Sequence, residues 1–494
     1  MPSTDLPDDP DLGQLRKQAR ELQRAVRAGD PEAIALATEF HPHPVTPDGW
    51  PLSAAQLVVA RRYRFPSWPA VTRYLGVVAE YRTAPERARP SADPATEFLR
   101  RACLTYSEAD GELQRTAEAV LAAYPQARAG DIWVAAARAD ATEVARLLHG
   151  DARLAIRPGG PHRWPPIAYL TYARHDPNLG RDAVVGTAQL LLEHGADPDT
   201  GFLWHGLPSP FTLLTGCFGH GELGSAAQPR HPQEHVLARL LLEAGADPND
   251  AQGLYNRMFT PADDHLELLF EFGLGSGDGG PWRRRLGARA QSPEQLLRGQ
   301  LGWAVTHGFT QRVALLADHG VDLTARLDGY GVHRQTAYEA ARTSGQVDVV
   351  RLLAERGVAG TPLPPEEEVL ASVLAGDRAA VDRLGPDALD KARARRPGLV
   401  VWAAVRGDAA AVRLAVELGW DVSAKARTDV PGDDEWETAL HHAAGEGDVE
   451  LVRLLLDLGA DPHTTDHRFD GTPLDWARHF AQPATAALLE SLGS

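Results

Sequence analysis

The clearest pattern of apolar and polar positions lies near the C-terminus. In residues 449–457 apolar side chains recur at the i, i+3, i+4 spacing of one helix face, with charged residues between them. A shorter run, residues 439–446, precedes this face, and Thr438 stands where its hydroxyl can cap the first turn. Gly447 and Gly459 follow the two runs, where glycine ends helices. The pattern predicts a short helix, a longer helix and a turn.

This unit recurs along the chain. The segment that begins at Thr472 repeats the one at Thr438 after about 34 residues, and weaker copies lie upstream. A segment of this size cannot bury its apolar face alone, so it must stack on a copy of itself. Stacked helical pairs usually form binding surfaces, which lowers the expectation of an enzyme. We place units near residues 97, 131, 166, 210, 254, 300, 335, 368, 399, 438 and 472.

Two segments, TALHHAA (438–444) and TPLDWA (472–477), share a first-helix motif, and two others, LLLEHGADPD (190–199) and LLLEAGADPND (240–250), share the end of a second helix and its turn. They resemble the ankyrin repeat, whose motif is T-P-L-H-x-A-A, with G-A-D-x-N after the second helix. Ala439 replaces the proline of the motif, and Asp475 replaces its histidine. The resemblance implies an all-α, ankyrin-type solenoid of stacked helix-turn-helix repeats. It also implies that the motif histidine, His441, ties neighbouring units together with hydrogen bonds.

Residues 11–80 do not contain the repeat, and their pattern predicts a separate helical region. Apolar positions from Leu12 to Val26 indicate an amphipathic helix, and Pro31 opens a second one. Ser53 is expected to cap a third helix, and prolines at 66 and 69 break the last part. The region, most clearly residues 56–75, resembles the N-terminal helical region that precedes ankyrin arrays in some bacterial proteins.

The organisation expected from these patterns has two parts. Residues 1–92 comprise the helical region and a linker rich in proline and charge, and residues 93–494 comprise the repeat array. The helical region is expected to cap the open apolar end of the stack. The alternative is a separate interaction module.

Between residues 200 and 300 the units lengthen to about 44–46 residues. Insertions in solenoids map to loops on one face, often the binding face. Trp204, Tyr255, Met258 and Trp282 fall in these predicted loops. Such residues either anchor a partner or pack the loop itself, and the pattern does not decide between the two.

Composition narrows the class of partner. The formal net charge is −17, which disfavours nucleic acid and favours a basic protein or peptide. No apolar run is long enough to span a bilayer, and the N-terminus does not have the pattern of a signal peptide, so we expect a cytoplasmic protein without membrane contact. Two cysteines, Cys103 and Cys217, predict buried thiols and no disulfide framework. Scarce lysine beside abundant Arg, Ala, Gly and Pro suggests a bacterial source.

The sequence contains no convincing catalytic motif. No GxSxG turn, CxxC pair or HExxH helix occurs. His220, His231 and His235 could be metal ligands, but solvated loop histidines are the favoured interpretation. Gly275–Gly280 lacks the phosphate-loop pattern. The arginines that follow it at 283–285 are expected in a solvated turn, and the alternative is that they bind an acidic group such as a carboxylate or a phosphate. We therefore expect no catalytic residue, no cofactor and no metal.

The expected function is non-catalytic recognition of a partner protein or peptide through the concave surface and the loop fingers between repeats. In the ankyrin family these surfaces contact partners, and by motif register they correspond here to Tyr330, His333, Arg427, Trp436, His442, His467, Arg468 and Phe469. The central insertions add Trp204, His205, Tyr255, Arg257 and Trp282. Two alternatives remain open. One is an enzyme or a small-ligand-binding protein with a site in the central insertions, and the other is a self-associating structural module. The oligomeric state is not predicted.

Overall fold

The first helices begin where side chains satisfy the amides of their first turns. Asp11, Asp30 and Ser67 each accept hydrogen bonds from backbone N–H groups two or three residues further on. The computed structural model, which describes residues 6–7, 10–358, 360–432 and 434–492, places these helices at α1 (Leu12–Arg27), α2 (Pro31–Phe40), α3 (Leu52–Arg62) and α4 (Trp68–Tyr81).

The expected cap at Ser53 is wrong. Helix α3 already begins at Leu52, and Pro51 before it makes no side-chain capping bond. Pro51 holds an extended backbone (φ −79°, ψ 154°) directly ahead of the helix, and a proline loses no amide bond at such a position. Ser53 therefore lies inside the first turn.

Helical pairs follow at each position where the sequence predicts a unit, eleven of them within the described residues. Their bounds, with the three extra helices α12, α16 and α23, are α5 (Pro94–Ala102), α6 (Asp110–Ala123), α7 (Ile132–Ala137), α8 (Ala141–Gly150), α9 (Pro166–Tyr172), α10 (Arg181–Glu193), α11 (Leu213–Phe218), α12 (Gly224–Ala227), α13 (Glu234–Glu243), α14 (Ala251–Arg257), α15 (Asp264–Glu271), α16 (Gly280–Leu286), α17 (Pro293–His307), α18 (Thr310–Asp318), α19 (Ala337–Thr343), α20 (Val347–Glu355), α21 (Pro365–Leu374), α22 (Arg378–Leu384), α23 (Pro386–Arg395), α24 (Leu399–Val405), α25 (Ala409–Glu417), α26 (Ala439–Glu446), α27 (Val449–Asp457), α28 (Pro473–His479) and α29 (Pro483–Glu490).

The backbone divides into two units, residues 1–296 and 297–494. In the first unit the first helices of successive pairs pack on one another, α5 on α7, α7 on α9, α9 on α11 and α11 on α14. In the second unit α19 packs on α21, α24 on α26 and α26 on α28. The all-α solenoid-like fold expected from the sequence is thereby confirmed.

His441 shows how neighbouring repeats are joined. Thr438 caps α26, and the His441 imidazole, fully buried, contacts the Thr438 hydroxyl through Nδ1 at 2.8 Å. Its Nε2 lies 3.0 Å from the Gly471 carbonyl oxygen of the next repeat. Asp475 takes the place of the motif histidine in that repeat and caps α28 by accepting from Thr472 N at 2.9 Å. The expected role of His441 is confirmed.

Strands are few and short. They are β1 (Arg82–Thr83), β2 (Gly201–Trp204), β3 (Pro210–Thr212), β4 (Leu327–Gly329), β5 (Val332–Gln335), β6 (Lys425–Ala426) and β7 (Glu437–Thr438). β4 with β5 and β6 with β7 form antiparallel hairpins, which are two of the fingers of the second unit. β1, β2 and β3 form one sheet in that order, with β1 parallel to β2. Short 3-10 helices lie at Pro85–Arg87, Pro125–Arg128, Ala152–Ile156 and Gly287–Arg289.

The N-terminal helices dock on the central insertions. Leu203 of β2 and both Trp282 and Leu286 of α16 are buried in the same core as α1–α4. The segment expected to be a linker contributes β1, which pairs Thr83 with Trp204. The helical region is thus held by the inserted residues of the repeats.

The central insertions are more regular than expected. The prediction of loops is wrong for Trp204, which lies in β2, for Tyr255 in α14 and for Trp282 in α16. Met258, the C-cap of α14, is 1% exposed. The partners that order these segments lie far away in sequence, so local composition does not reveal them. Cys103 and Cys217 are both buried as free thiols, as expected, and burial raises the pKa of each.

Candidate partner-binding surface and central cavity

A tryptophan held between two arginines forms the centre of the candidate surface. The guanidinium carbons of Arg427 and Arg468 each lie 4.2 Å from the ring centroid of Trp436. Arg427 and Trp436 belong to the β6–β7 finger, and Arg468 belongs to the next finger, residues 464–471. His467 joins the two fingers by donating its backbone N–H to the Trp436 carbonyl at 2.8 Å. Five residues predicted separately therefore meet here, the fifth being Phe469.

Arg427 is fixed by carboxylates on its own finger. Its Nε donates to Asp429 Oδ1 at 2.8 Å and its Nη2 to Asp429 Oδ2 at 2.5 Å. Nη1 lies 3.5 Å from Asp434 Oδ2. The hydrogen bonds to Asp429 raise the pKa of Arg427. This two-point contact orients the plane of the guanidinium on the indole.

Asp466 organises the second finger. Its buried carboxylate accepts the backbone N–H groups of Arg468, Phe469 and Gly471 at 2.7, 2.6 and 3.0 Å. It also accepts Trp476 Nε1 at 2.9 Å. Burial acts to raise the pKa of Asp466, and these bonds outweigh it and hold the pKa below its usual range. The turn so fixed leaves the Phe469 side chain 68% exposed.

The aromatic surface continues onto α28 through residues that were not predicted. The rings of Phe469 and Trp476 lie 6.3 Å apart, and those of Trp476 and Phe480 lie 5.7 Å apart. Phe480 is 51% exposed. A Cβ on Gly445 of α26 would lie 3.2 Å from Phe480 Cδ2 and 3.3 Å from Trp476 Cε3, so glycine lets both rings pack closely. The signal in the sequence is an aromatic pair at i, i+4, Trp476 on α28 and Phe480 at its C-cap.

The β4–β5 finger lies against the β6–β7 finger. A Cβ on Gly331, whose φ is +77°, would come within 2.9 Å of Pro431 Cδ. Tyr330 packs its ring edge on Trp303 at 5.7 Å, and burial raises the pKa of Tyr330. His333 is exposed, with Nδ1 3.9 Å from Asp328 Oδ1. The structure therefore brings these two predicted residues to the finger next to the Trp436 stack.

His442 occupies the first helix of its repeat, α26, and is half-buried. Burial lowers the pKa of His442, and the nearby charges of Glu446 and Asp448 oppose that effect. The imidazole is therefore held towards its neutral form.

Trp204, His205 and Tyr255, predicted in the central insertions, have contacts inside the first unit. His205 Nε2 lies 2.6 Å from Glu86 Oε1, and its backbone N–H donates to the Thr83 carbonyl at 2.8 Å. The Trp204 ring packs on His205 at 4.4 Å. The Tyr255 hydroxyl donates to Glu222 Oε1 at 2.5 Å. All three are half-buried.

Arg257 and Trp282 are buried, so the structure does not place them on a contact surface. Arg257 is fully buried, and its guanidinium forms ion pairs with Glu234 and Asp264. Trp282 is 6% exposed. Its Nε1 donates to the Asp199 carbonyl at 2.9 Å, and its ring meets Tyr81 of α4 at 5.0 Å. Of the two roles that the sequence left open for Trp282, anchoring a partner or packing the insertion, the structure agrees with packing.

The expectation of solvated loop histidines is wrong for His220 and His231. They are 8% and 2% exposed, and His231 Nδ1 accepts Gln233 N at 3.0 Å. Burial lowers the pKa of His220 to about 4 and takes that of His231 well below its usual range. Within the described residues, no three or more His, Cys, Asp or Glu side chains group as ligands for a metal ion.

The arginines at 283–285 bind inside the first unit. Arg283 donates to the Asp278 carbonyl at 2.8 Å, and Arg284 pairs with the Asp278 carboxylate at 2.8 Å. Arg285 lies over the rings of Trp282 and Tyr81 at 4.9 and 5.3 Å. The expected turn is wrong because the three arginines lie on α16, whereas Arg284, 60% exposed, is solvated as expected.

The first unit also contains a cavity of about 300 Å³ beside the Trp282–Asp199 hydrogen bond. Its walls include Glu80, Trp164, Asp197, Asp199, Phe202 and Phe211. Asp199 and Trp282 also line a smaller cavity of about 170 Å³. Burial raises the pKa of Asp199 to about 6.

Comparison with known proteins identifies the repeats. Residues 371–489 match the family model for ankyrin repeats in three copies. The Trp436 stack and the aromatic surface on α28 lie within this stretch. Residues 371–489 are thus similar to ankyrin repeats, and ankyrin repeats generally mediate contacts between proteins.

Two curated proteins share shorter stretches with the chain. A putative glutaminase 3 of Caenorhabditis elegans is 38% identical over 91 residues, which is 18% of this chain and 14% of that protein. The serine/threonine-protein kinase VIK of Arabidopsis thaliana is 36% identical over 104 residues, 21% of this chain and 22% of the kinase. The matched stretches thus cover less than a quarter of either relative. No helix among the described residues has the length and apolar content needed to cross a membrane.

Proposed function

We propose that the protein recognises a partner protein or peptide, without catalysis, through the surface formed by the fingers and inner helices of residues 425–480. The observation that carries the proposal is the stack of Arg427, Trp436 and Arg468, with Phe469 exposed beside it. A few residues carry most of the binding energy at protein interfaces, and tryptophan and arginine are enriched among them. In this proposal residues 1–92 are the helical region and residues 93–494 the repeat array.

The rigidity of the surface supports the proposal. Asp429 fixes Arg427, and Asp466 fixes the turn that carries Arg468 and Phe469. Side chains that are already oriented lose little entropy when a partner binds. Phe469, Trp476 and Phe480 would contact apolar side chains of the partner, while Arg468 would contact its carboxylate or carbonyl oxygens.

Charge favours a basic partner. The chain carries a net charge of −17, and Asp434, Glu435 and Asp470 are exposed around the stack. Such a field attracts a positively charged partner and accelerates the encounter. We propose that recognition takes place in the cytoplasm, because two buried free thiols need no oxidising compartment.

The test is quantitative capture from the native host with the full-length chain as bait. Replacing Arg468 and Phe469 together by alanine removes two exposed side chains, so we expect the fold to be unchanged. We expect the specific partner to be retained at least about tenfold less, because two anchors at an interface each contribute more than about 1 kcal/mol. Raising the salt concentration should also weaken capture by the wild-type chain.

Val347→Ala is the matched control. Val347 is an apolar residue of the second unit with 52% exposure, and it lies outside the proposed surface at the start of α20. Equal capture by the wild-type chain and the double variant would contradict the proposal. A wild-type dimer that the double variant dissociates, measured by light scattering, would instead assign the surface to self-association.

A further inference from the structure

The cavity beside Asp199 has walls from both the helical region and the repeats. Glu80 comes from the end of α4, Trp164 from the segment before α9, and Phe202 and Phe211 from β2 and β3. Asp199 lies in the turn that leads to β2. A volume of about 300 Å³ is at the lower end of the range for pockets that hold small ligands.

The aromatic wall is continuous. The rings of Trp164 and Phe202 stack at 5.1 Å with 21° between their planes, and those of Phe202 and Phe211 stack at 5.5 Å with 19°. All three residues are at most 5% exposed. Such a wall favours contact with the hydrocarbon chain of a ligand, and the faces of aromatic rings also attract cations.

The charged part of the remaining wall has three carboxylates, Glu80, Asp197 and Asp199, and two guanidinium groups, Arg285 and the exposed Arg163. Asp199 accepts the Asp247 backbone N–H on Oδ1 at 2.9 Å. Burial raises its pKa to about 6, and the charges of Asp197, Asp247 and Asp250 act in the same direction. The nearby guanidinium of Arg285 is already placed over Trp282 and Tyr81. A carboxylate that is partly buried among other carboxylates gains from a bound cation.

We propose that this cavity binds an alkylammonium group, with the nitrogen at Asp197 and Asp199 and the methylene chain along Trp164, Phe202 and Phe211. The group comes either from a small amine or from a lysine side chain of a protein. Glu80 at the rim adds to the attraction for the cation. This site lies in the first unit and is independent of the surface on residues 425–480.

Titration calorimetry on the full-length protein tests the proposal with three probes. They are 1,5-diaminopentane, the capped peptide Gly-Gly-Lys-Gly-Gly and the dianion glutarate. We expect saturable binding of at least one of the two cationic probes and none of glutarate. Binding of the diamine alone identifies a small amine as the source, whereas binding of the peptide alone identifies a protein lysine.

Asp199→Asn is the decisive variant, because asparagine keeps the Oδ1 acceptor for Asp247 N–H and removes only the charge. It should weaken binding about tenfold to a hundredfold, the value of a hydrogen bond between charged groups. Asp197→Asn, at an exposed turn position, should act in the same direction. Glu193→Gln removes one charge from an exposed position on α10 and should leave affinity unchanged.

Three results would overturn the proposal. One is the absence of saturable binding of both cationic probes at 10 mM (roughly the weakest affinity of interest). Another is equal affinity of the wild-type chain and both aspartate variants, with thermal melts that show all three to be folded. The third is tighter binding of glutarate than of either cation, which would assign the cavity to anions.

Discussion

Replacement of Trp402 by alanine should lower the free energy of unfolding of the second unit by about 3–5 kcal/mol, the usual cost of removing a large aromatic side chain from a core. Trp402 is among the largest side chains that are fully buried. It lies on α24, whose residues 399–404 are all buried. Urea denaturation followed by circular dichroism measures the change.

The contacts of Trp402 explain the size of this effect. Its Nε1 donates to the Ser344 carbonyl at 3.1 Å, which joins α24 to the end of α19. Its ring meets His307 of α17 edge-on at 5.6 Å. Loss of the ring would therefore leave a cavity and an unpaired carbonyl where several helical pairs meet.

Trp402→Phe is the control for this prediction. It keeps most of the ring and loses the indole N–H, so it should cost less than the alanine variant. Hydrogen exchange should show faster amide exchange in α19 and α24 for alanine than for phenylalanine. A loss below about 1 kcal/mol for Trp402→Ala, the range of ordinary surface substitutions, would show that α24 does not support its neighbours.

The C-terminal repeats could be predicted because their signals are local. Thr438 caps a helix whose amides lie within three residues, and the His441 contact follows from the same short motif. Phe469 follows from the register of the Gly471–Thr472 turn. For such residues the neighbours in sequence are also the neighbours in space.

The central insertions could not be predicted in this way. β1 pairs with a strand about 120 residues further on, and Trp282 meets Tyr81 across about 200 residues. Neither contact has a periodic signal, since β1 has only two residues and α16 only seven. The half-buried Trp476 of α28 and the exposed Phe480 at its C-cap were not predicted for a different reason. Trp476 and Phe480 have the i, i+4 spacing, but the ankyrin motif assigns the partner contacts of this repeat to its finger.

Arg257 shows how a residue that was predicted to bind a partner can serve stability. Its fully buried guanidinium pairs with Glu234 and, through Nη2, with Asp264 Oδ1 at 2.8 Å. Arg230 completes the network at 3.0 Å from Glu234 and 2.9 Å from Asp264. Arg230 is 44% exposed, so it cannot replace the buried cation.

Arg257→Ala should lower the free energy of unfolding of the first unit by about 3–5 kcal/mol at pH 7, because it leaves the buried Glu234 carboxylate with only the partly exposed Arg230 as a partner. Arg230→Ala should lower the free energy of unfolding by less than about 1 kcal/mol, since the ion pairs of Arg230 are partly exposed to solvent. Urea denaturation at fixed pH compares the two. Similar losses for both variants would show that burial of Arg257 adds nothing to the network.

The pH dependence of this loss follows from Glu234. Burial raises the pKa of Glu234 even though Arg257 and Arg230 oppose the effect, and removal of Arg257 should raise it further. The folded variant then binds a proton more tightly than the unfolded chain, so its stability falls as pH rises from the unfolded pKa through the folded one. The gap between wild type and Arg257→Ala should therefore shrink as pH falls from 8 to 5.

Asp264 should not reverse this trend. Burial acts to raise its pKa, but Arg257 and Arg230 hold the pKa below its usual range in the wild-type chain, so Asp264 stays ionised over most of the same interval. Adding Glu234→Gln to Arg257→Ala removes the titrating carboxyl and should restore part of the stability at pH 8 but little at pH 5. A gap that is constant from pH 5 to 8 would locate the cost of Arg257→Ala in lost packing and not in the buried charge of Glu234.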